Sequence, residues 1–150
     1  MPQRFDVRIA WRVVPYLGMD LRSTYAFAVL LAGVTPAFAQ IEAVIPWVPA
    51  PMHANGQKHL LYEIHLTNFI PLTCLLERVE ISSRAGERLA TYAGQELADA
   101  LDHPGFNTGG TDTRVIGPGL RMILFVWITL KSGEVTPAIL AHHLVFSARA

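Results

Sequence analysis

The chain has 150 residues, with twelve basic and twelve acidic side chains and no formal net charge. That length suits one domain, and the balanced charge offers neither a basic face for nucleic acid nor a polybasic cluster for an anionic membrane. Its single cysteine rules out an internal disulfide, so the fold must rest on an apolar core.

Residues 1–39 read as a signal peptide, an N-terminal signal helix. An apolar run, "STYAFAVLLAGV", fills residues 23–34 after Arg22. It has the length of a signal core and is too short to span a bilayer. Ala37 and Ala39 are small at the positions a signal peptidase reads, which places cleavage between Ala39 and Gln40. The stretch before the apolar run is long, and Met19 offers an alternative true start. Residues 40–150 then form the mature domain. The leader takes four Arg and two Asp, leaving eight basic and ten acidic residues. The mean hydropathy of +0.32 is inflated by the leader. The expectation is a periplasmic or secreted protein. No Cys lies near the cleavage position, so neither a lipid nor any stable membrane anchor is expected afterwards.

An edge strand is predicted at 41–45. An extended loop follows, because Pro46, Pro49 and Pro51 each remove a backbone donor. Asn55-Gly56 marks a turn. "HLLYEIHLTN" (59–68) alternates with period two. Leu60, Tyr62, Ile64 and Leu66 face a core, and His59, Leu61, Glu63, His65 and Thr67 face the other way. In "PLTCLLERVEI", Leu72, Cys74 and Leu76 have one parity and Val79 and Ile81 the other. Both sets reach one core only if a residue is inserted, so a β-bulge is expected near Glu77 and Arg78. Cys74 reads as a small buried hydrophobe, with a reactive thiol as the alternative.

A turn near Gly86 leads to a short strand ending at Tyr92. Leu97 and Leu101 have helical spacing before Pro104-Gly105, which predicts one or two helical turns. Residues 106–113 read as a flexible loop and 113–120 as a strand with a Gly-Pro-Gly turn. "RMILFVWITL" (121–130) is apolar on both parities, the pattern of a central strand buried on both faces, with Met122 and Trp127 in the core. A loop at 131–137 precedes a last strand with Leu144 and Phe146 on one face. About seven short strands and one short helix predict an all-β fold, an antiparallel immunoglobulin-like β-sandwich.

Several of these segments together resemble a known domain. They are the Pro-rich lead "IPWVPAPMHANGQ", the strand Tyr-Glu-x-His-Leu-Thr-Asn, the strand Leu-Ala-x-Tyr with its helix, and the strand ending Trp-x-Thr-Leu. From about Val44 to Phe146 the chain resembles the immunoglobulin-like domain that precedes the catalytic domain in exported bacterial M23-type metallopeptidases. The zinc motifs of those enzymes, H-x3-D and H-x-H, do not occur in the 150 residues. The resemblance therefore implies a non-catalytic accessory domain and carries over no catalytic residue.

The residues themselves offer few sites. Glu63 and His65 stand about 7 Å apart along a strand and could donate two metal ligands, with His142 or His143 as a third. A solvated polar face is the competing reading. Met52 and His53 hint at copper, but converging ligands are missing. Trp47 reads either as a plug over the sandwich end or, if exposed, as a partner-binding surface with Met52 and His53. Ser82, Ser83, Ser132 and Ser147 lack a nucleophile-elbow context. Asp99, Asp102 and His103 read as a solvated helix end rather than a carboxylate pair. No catalytic residue, cofactor or resident metal is assigned. The expected function is an exported, non-catalytic binding domain of the cell envelope whose partner is an envelope protein, such as a separately encoded cell-wall peptidase. The alternatives are a periplasmic metal carrier and a truncated peptidase remnant.

Overall fold

A computed structural model describes residues 3–12, 41–105, 112–131 and 133–149. Ten strands and one helix are present among them. The strands are β1 (Gln3–Arg12), β2 (Ile41–Val44), β3 (Ala50–Ala54), β4 (Gln57–Asn68), β5 (Thr73–Ser83), β6 (Arg88–Ala93), β7 (Leu101–Asp102), β8 (Val115–Ile116), β9 (Arg121–Leu130) and β10 (Ile139–Arg149), with α1 at Gly94–Asp99. They build two antiparallel sheets around one apolar core, a β-sandwich. The first sheet runs β1–β10–β5–β6, with β8 also on β5. The second runs β2–β4–β9–β7, with β3 also on β4.

The second sheet is built on the ladder between β4 and β9, paired from Lys58↔Leu130 to Thr67↔Arg121. Alternation sends Leu60, Ile64 and Leu66 of β4, and Met122, Leu124, Val126 and Ile128 of β9, into the core. They meet Leu76, Val79 and Ile81 of β5 and Leu140, Leu144 and Phe146 of β10. The predicted bulge is present. Arg78 pairs with Val145 and Leu76 with Phe146, so Glu77 has no partner across the ladder. That one extra residue lets Cys74, Leu76, Val79 and Ile81 all be buried.

Three strands lie beyond the seven expected: β1, β3 and β7. The prolines of the lead do not exclude a strand, because β3 is an edge strand on β4 and Pro51 needs no outward donor there. Asn55 and Gly56 both take positive φ, 51° and 73°, and join β3 to β4 in a two-residue turn. β2 and β3 lie on the same side of β4, at its opposite ends. Residues 45–49 interrupt this edge where Pro46 and Pro49 withhold donors.

β1 pairs with β10 from Gln3↔Ala148 to Arg12↔Ile139. The sequence assigns these residues to a leader; here they are a strand of the first sheet. The signal helix, the cleavage position and most of the expected flexible loop at 106–113 lie outside the described residues.

The second face of β9 is not covered as expected. Phe125 is 47% exposed and Trp127 60% exposed, so Trp127 is not a core residue. The apolar pattern predicts burial on both faces, but among the described residues no element covers Phe125 and Trp127.

One polar residue closes an end of the sandwich. Asn68 is fully buried. Its Nδ2 donates to the Leu72 and Ile116 carbonyls at 2.9 and 3.1 Å, and its Oδ1 accepts from the Ile70 N–H at 2.8 Å. Its own carbonyl accepts from Gly119 at 2.7 Å. Asn68→Ala leaves two carbonyls and one N–H without this partner. It should cost about 3 kcal/mol in urea unfolding, without changing the fold seen by circular dichroism.

Candidate functional site

The outward parity of β4 and β9 builds an apolar concave surface on the second sheet. Leu61 and Glu63 from β4, Phe125 and Trp127 from β9, and Trp47 and Val48 from the proline break line a groove of about 460 Å³. Trp47 is 79% exposed. It is therefore not a plug: the break at 45–49 buries Ile45 and Pro49 and leaves the indole outside. Trp47 thus stands at the surface, the condition under which the sequence reads it as a partner contact. Met52 and His53 are also exposed, but on β3, outside the groove lining.

Trp127 is held from two directions. Its main-chain N–H donates to the Tyr92 hydroxyl at 2.9 Å, and that hydroxyl donates back to its carbonyl at 3.0 Å. Tyr92 thus satisfies part of the β9 edge beyond the short β7 pairing. Burial raises the Tyr92 pKa, which keeps the hydroxyl protonated and able to donate. The indole Nε1 donates to His59 Nδ1 at 3.1 Å. An indole N–H is only a donor, so Nδ1 accepts and the ring proton sits on Nε2, facing the Ala54 carbonyl at 3.3 Å. His59 is therefore not on a wet face. It is buried against Trp127, with the rings edge-on at 5.6 Å.

The rim of this face is polar and acidic. Glu63 accepts from His65 Nε2 at 2.7 Å, making a half-buried pair beside the groove. On the other side, Glu96 and Asp99 of α1 line a second concavity with Phe125 and Trp127. An apolar centre with carboxylates on two sides suits an apolar ligand that carries positive charge.

The metal-ligand set suggested by the sequence does not assemble. Glu63 and His65 are on the outer face of the second sheet. His143 belongs to the first sheet, facing Asp6 at 3.1 Å and Glu80 at 3.5 Å. His142 points into the core and meets the Tyr62 hydroxyl at 2.7 Å. Among the described residues, no group of three or more His, Cys, Asp or Glu is placed to hold a metal ion. Cys74 is buried and its thiol is pushed up by that burial, as expected of a core side chain. Asp99 accepts from Gln95 at 2.7 Å, and His103 is buried against the Thr113 carbonyl.

The sequence missed Leu61, Phe125, Tyr92 and Val48. The available signal was the second apolar parity of β9, set against an outer face of β4 that is mostly polar. Comparison with protein families, curated proteins and solved structures finds no match.

The Tyr62–His142 hydrogen bond crosses from one sheet to the other within the core. Burial holds the Tyr62 hydroxyl far above its usual pKa. Burial also pushes His142 from 6.5 down to about 4. The unfolded imidazole takes up a proton below about 6.5, whereas the folded one resists until about 4. Its contribution to stability is therefore present above 6.5 and lost as pH falls towards 4, by up to about 3 kcal/mol. Urea unfolding across that range should show a shallower pH dependence for His142→Gln than for the native chain.

Proposed function

We propose that this chain is an exported, non-catalytic binding domain of the bacterial cell envelope, and that the aromatic face of its second sheet is the contact surface. One observation carries this reading: Trp47, Phe125 and Trp127 are exposed together around one groove. Large aromatics held outside a core cost hydration free energy unless a partner covers them. Trp127 is fixed by Tyr92 and His59, so little freedom remains to be lost on binding.

The partner is an envelope protein that offers an apolar anchor flanked by Lys or Arg, complementary to Glu63, Glu96 and Asp99. The two antiparallel sheets support the β-sandwich on which the immunoglobulin-like reading builds, and the resemblance to peptidase accessory domains rests on the sequence segments. The apolar run at 23–34 and the small residues at 37 and 39 support export to the periplasm or beyond. Among the described residues, no helix is long and apolar enough to cross a membrane.

The test is a crosslinking pull-down with the full chain from its host's envelope fraction, run beside Trp47→Ala and Phe125→Ala. Native protein should enrich one envelope protein reproducibly. Each variant should lose about tenfold or more in affinity for that protein while keeping native circular dichroism. Raising the salt should weaken binding through the acidic rim. Equal recovery by native and variant chains would show that the aromatic face is not the contact.

A further inference from the structure

The outer edge of the first sheet carries a different kind of site. β1 hydrogen-bonds to β10 and to no other strand among the described residues. Its inward side chains Phe5, Val7 and Ile9 are half-buried on the core margin. Phe5 stacks on Phe146 with centroids 5.5 Å apart and planes 8° from parallel. Its outward side chains are matched by charge: Arg4 meets Glu77 at 2.8 Å, and Asp6 meets His143 at 3.1 Å. Arg8 lines a groove of about 430 Å³ with Glu80, Arg88 and His143. Glu77 is the bulge residue, unpaired along the β5–β10 ladder, and its carboxylate is committed to the strand beyond β10.

Twenty-eight residues separate Arg12 from Ile41. That connection is the only covalent hold on β1, and the cleavage expected between Ala39 and Gln40 would sever it. While the connection is intact, β1 is present at an effective concentration in the millimolar range. Once it is cut, β1 belongs to a separate fragment ending at Ala39, which dilution can remove. The edge it leaves is long, continuous and free of proline, with a row of unpaired main-chain groups.

We propose that the β10 edge is a strand-acceptor site, filled by β1 in the uncut chain and by an extended segment of a second polypeptide once the chain is cut. β1 displays the pattern such a segment needs. It is basic, aromatic, acidic, apolar, basic, apolar, as in Arg4 to Ile9. The aromatic lies over Phe146, the first base meets Glu77 and the acid meets His143. Main-chain pairing supplies affinity, and these alternate positions supply selectivity. This site shares no residue with the aromatic groove of the second sheet. It rests on the export reading only for the natural source of the cut.

The test uses the full chain with a site-specific protease sequence inserted between Ala39 and Gln40, folded and then cut. The probe is a fluorescein-labelled peptide of residues 3–12, followed by anisotropy. The cut protein should bind it about 100-fold or more tightly than the uncut protein. A peptide carrying Arg4→Glu and Asp6→Arg should bind about tenfold more weakly. Equal uptake by cut and uncut protein, failure of the probe to exchange in overnight, or equal binding of the charge-reversed peptide would overturn the proposal. If the cut chain loses its β-sheet circular dichroism, recovery on adding the peptide supports the site, and no recovery overturns it. Because the cut is engineered, a negative result counts against the acceptor site alone. N-terminal sequencing of the exported protein tests the leader separately.

Discussion

The register between β4 and β9 is the constraint from which both the core and the surface follow. One parity of this ladder carries Leu60, Tyr62, Ile64 and Leu66 against Met122, Leu124, Val126 and Ile128. The other carries Leu61, Glu63 and His65 against Ile123, Phe125 and Trp127. A slip of one residue would exchange the two sets and place Glu63 and His65 in the core, where an unsatisfied charge or polar ring is costly. The aromatic surface is therefore as strongly specified as the interior, because the same pairing sets both.

Three polar residues hold the sheets around that ladder. Asn68 ties the end of β4 to the carbonyl of Ile116 on β8. Tyr92 reaches from β6 to the main chain of β9. Tyr62 bonds His142 across the middle. Each is a buried polar group with a partner in the opposite sheet, and each loses more when its partner is removed than it gains from the bond itself. They act on geometry more than on net stability. Tyr92 in particular links the packing of the sandwich to the position of the indole at its surface.

Much of this was legible in the sequence. The alternation of residues 59–68 identified the inward set of β4, the parity change between Leu76 and Val79 located the bulge at Glu77, and Asn55-Gly56 marked the hairpin. What was not legible depended on contacts made across the fold. β3 was hidden by Pro51, because local rules do not reveal that a strand lies on an edge. β1 was hidden by its neighbour, the apolar run at 23–34, which drew the whole N-terminus into one reading. His142 looked like a wet ligand beside His143. Its inward position follows from pairing with Ile81 and Ile9, which no local pattern announces. Trp127 reads as buried and Trp47 as either a plug or an exposed surface, because residue type says nothing about whether a covering element exists. The groove was thus the least legible part, being composed of apolar residues that the fold leaves outside.

The edges of the two sheets are unequal. On the second sheet, β2 and β3 are separated by the proline break, and β7 is two residues long. On the first, the far side of β5 is divided between six-residue β6 and two-residue β8. Among the described residues, only the β10 side offers a long unbroken register. Among the described residues, a β10 edge freed of β1 would be the one long edge open to sheet extension. Two copies joined edge to edge through β10 would leave only short or interrupted edges at the ends of the joined sheet. Association by this route closes at two components, so the fold that exposes aromatic surface on one face limits growth along the other to a pair rather than a fibre.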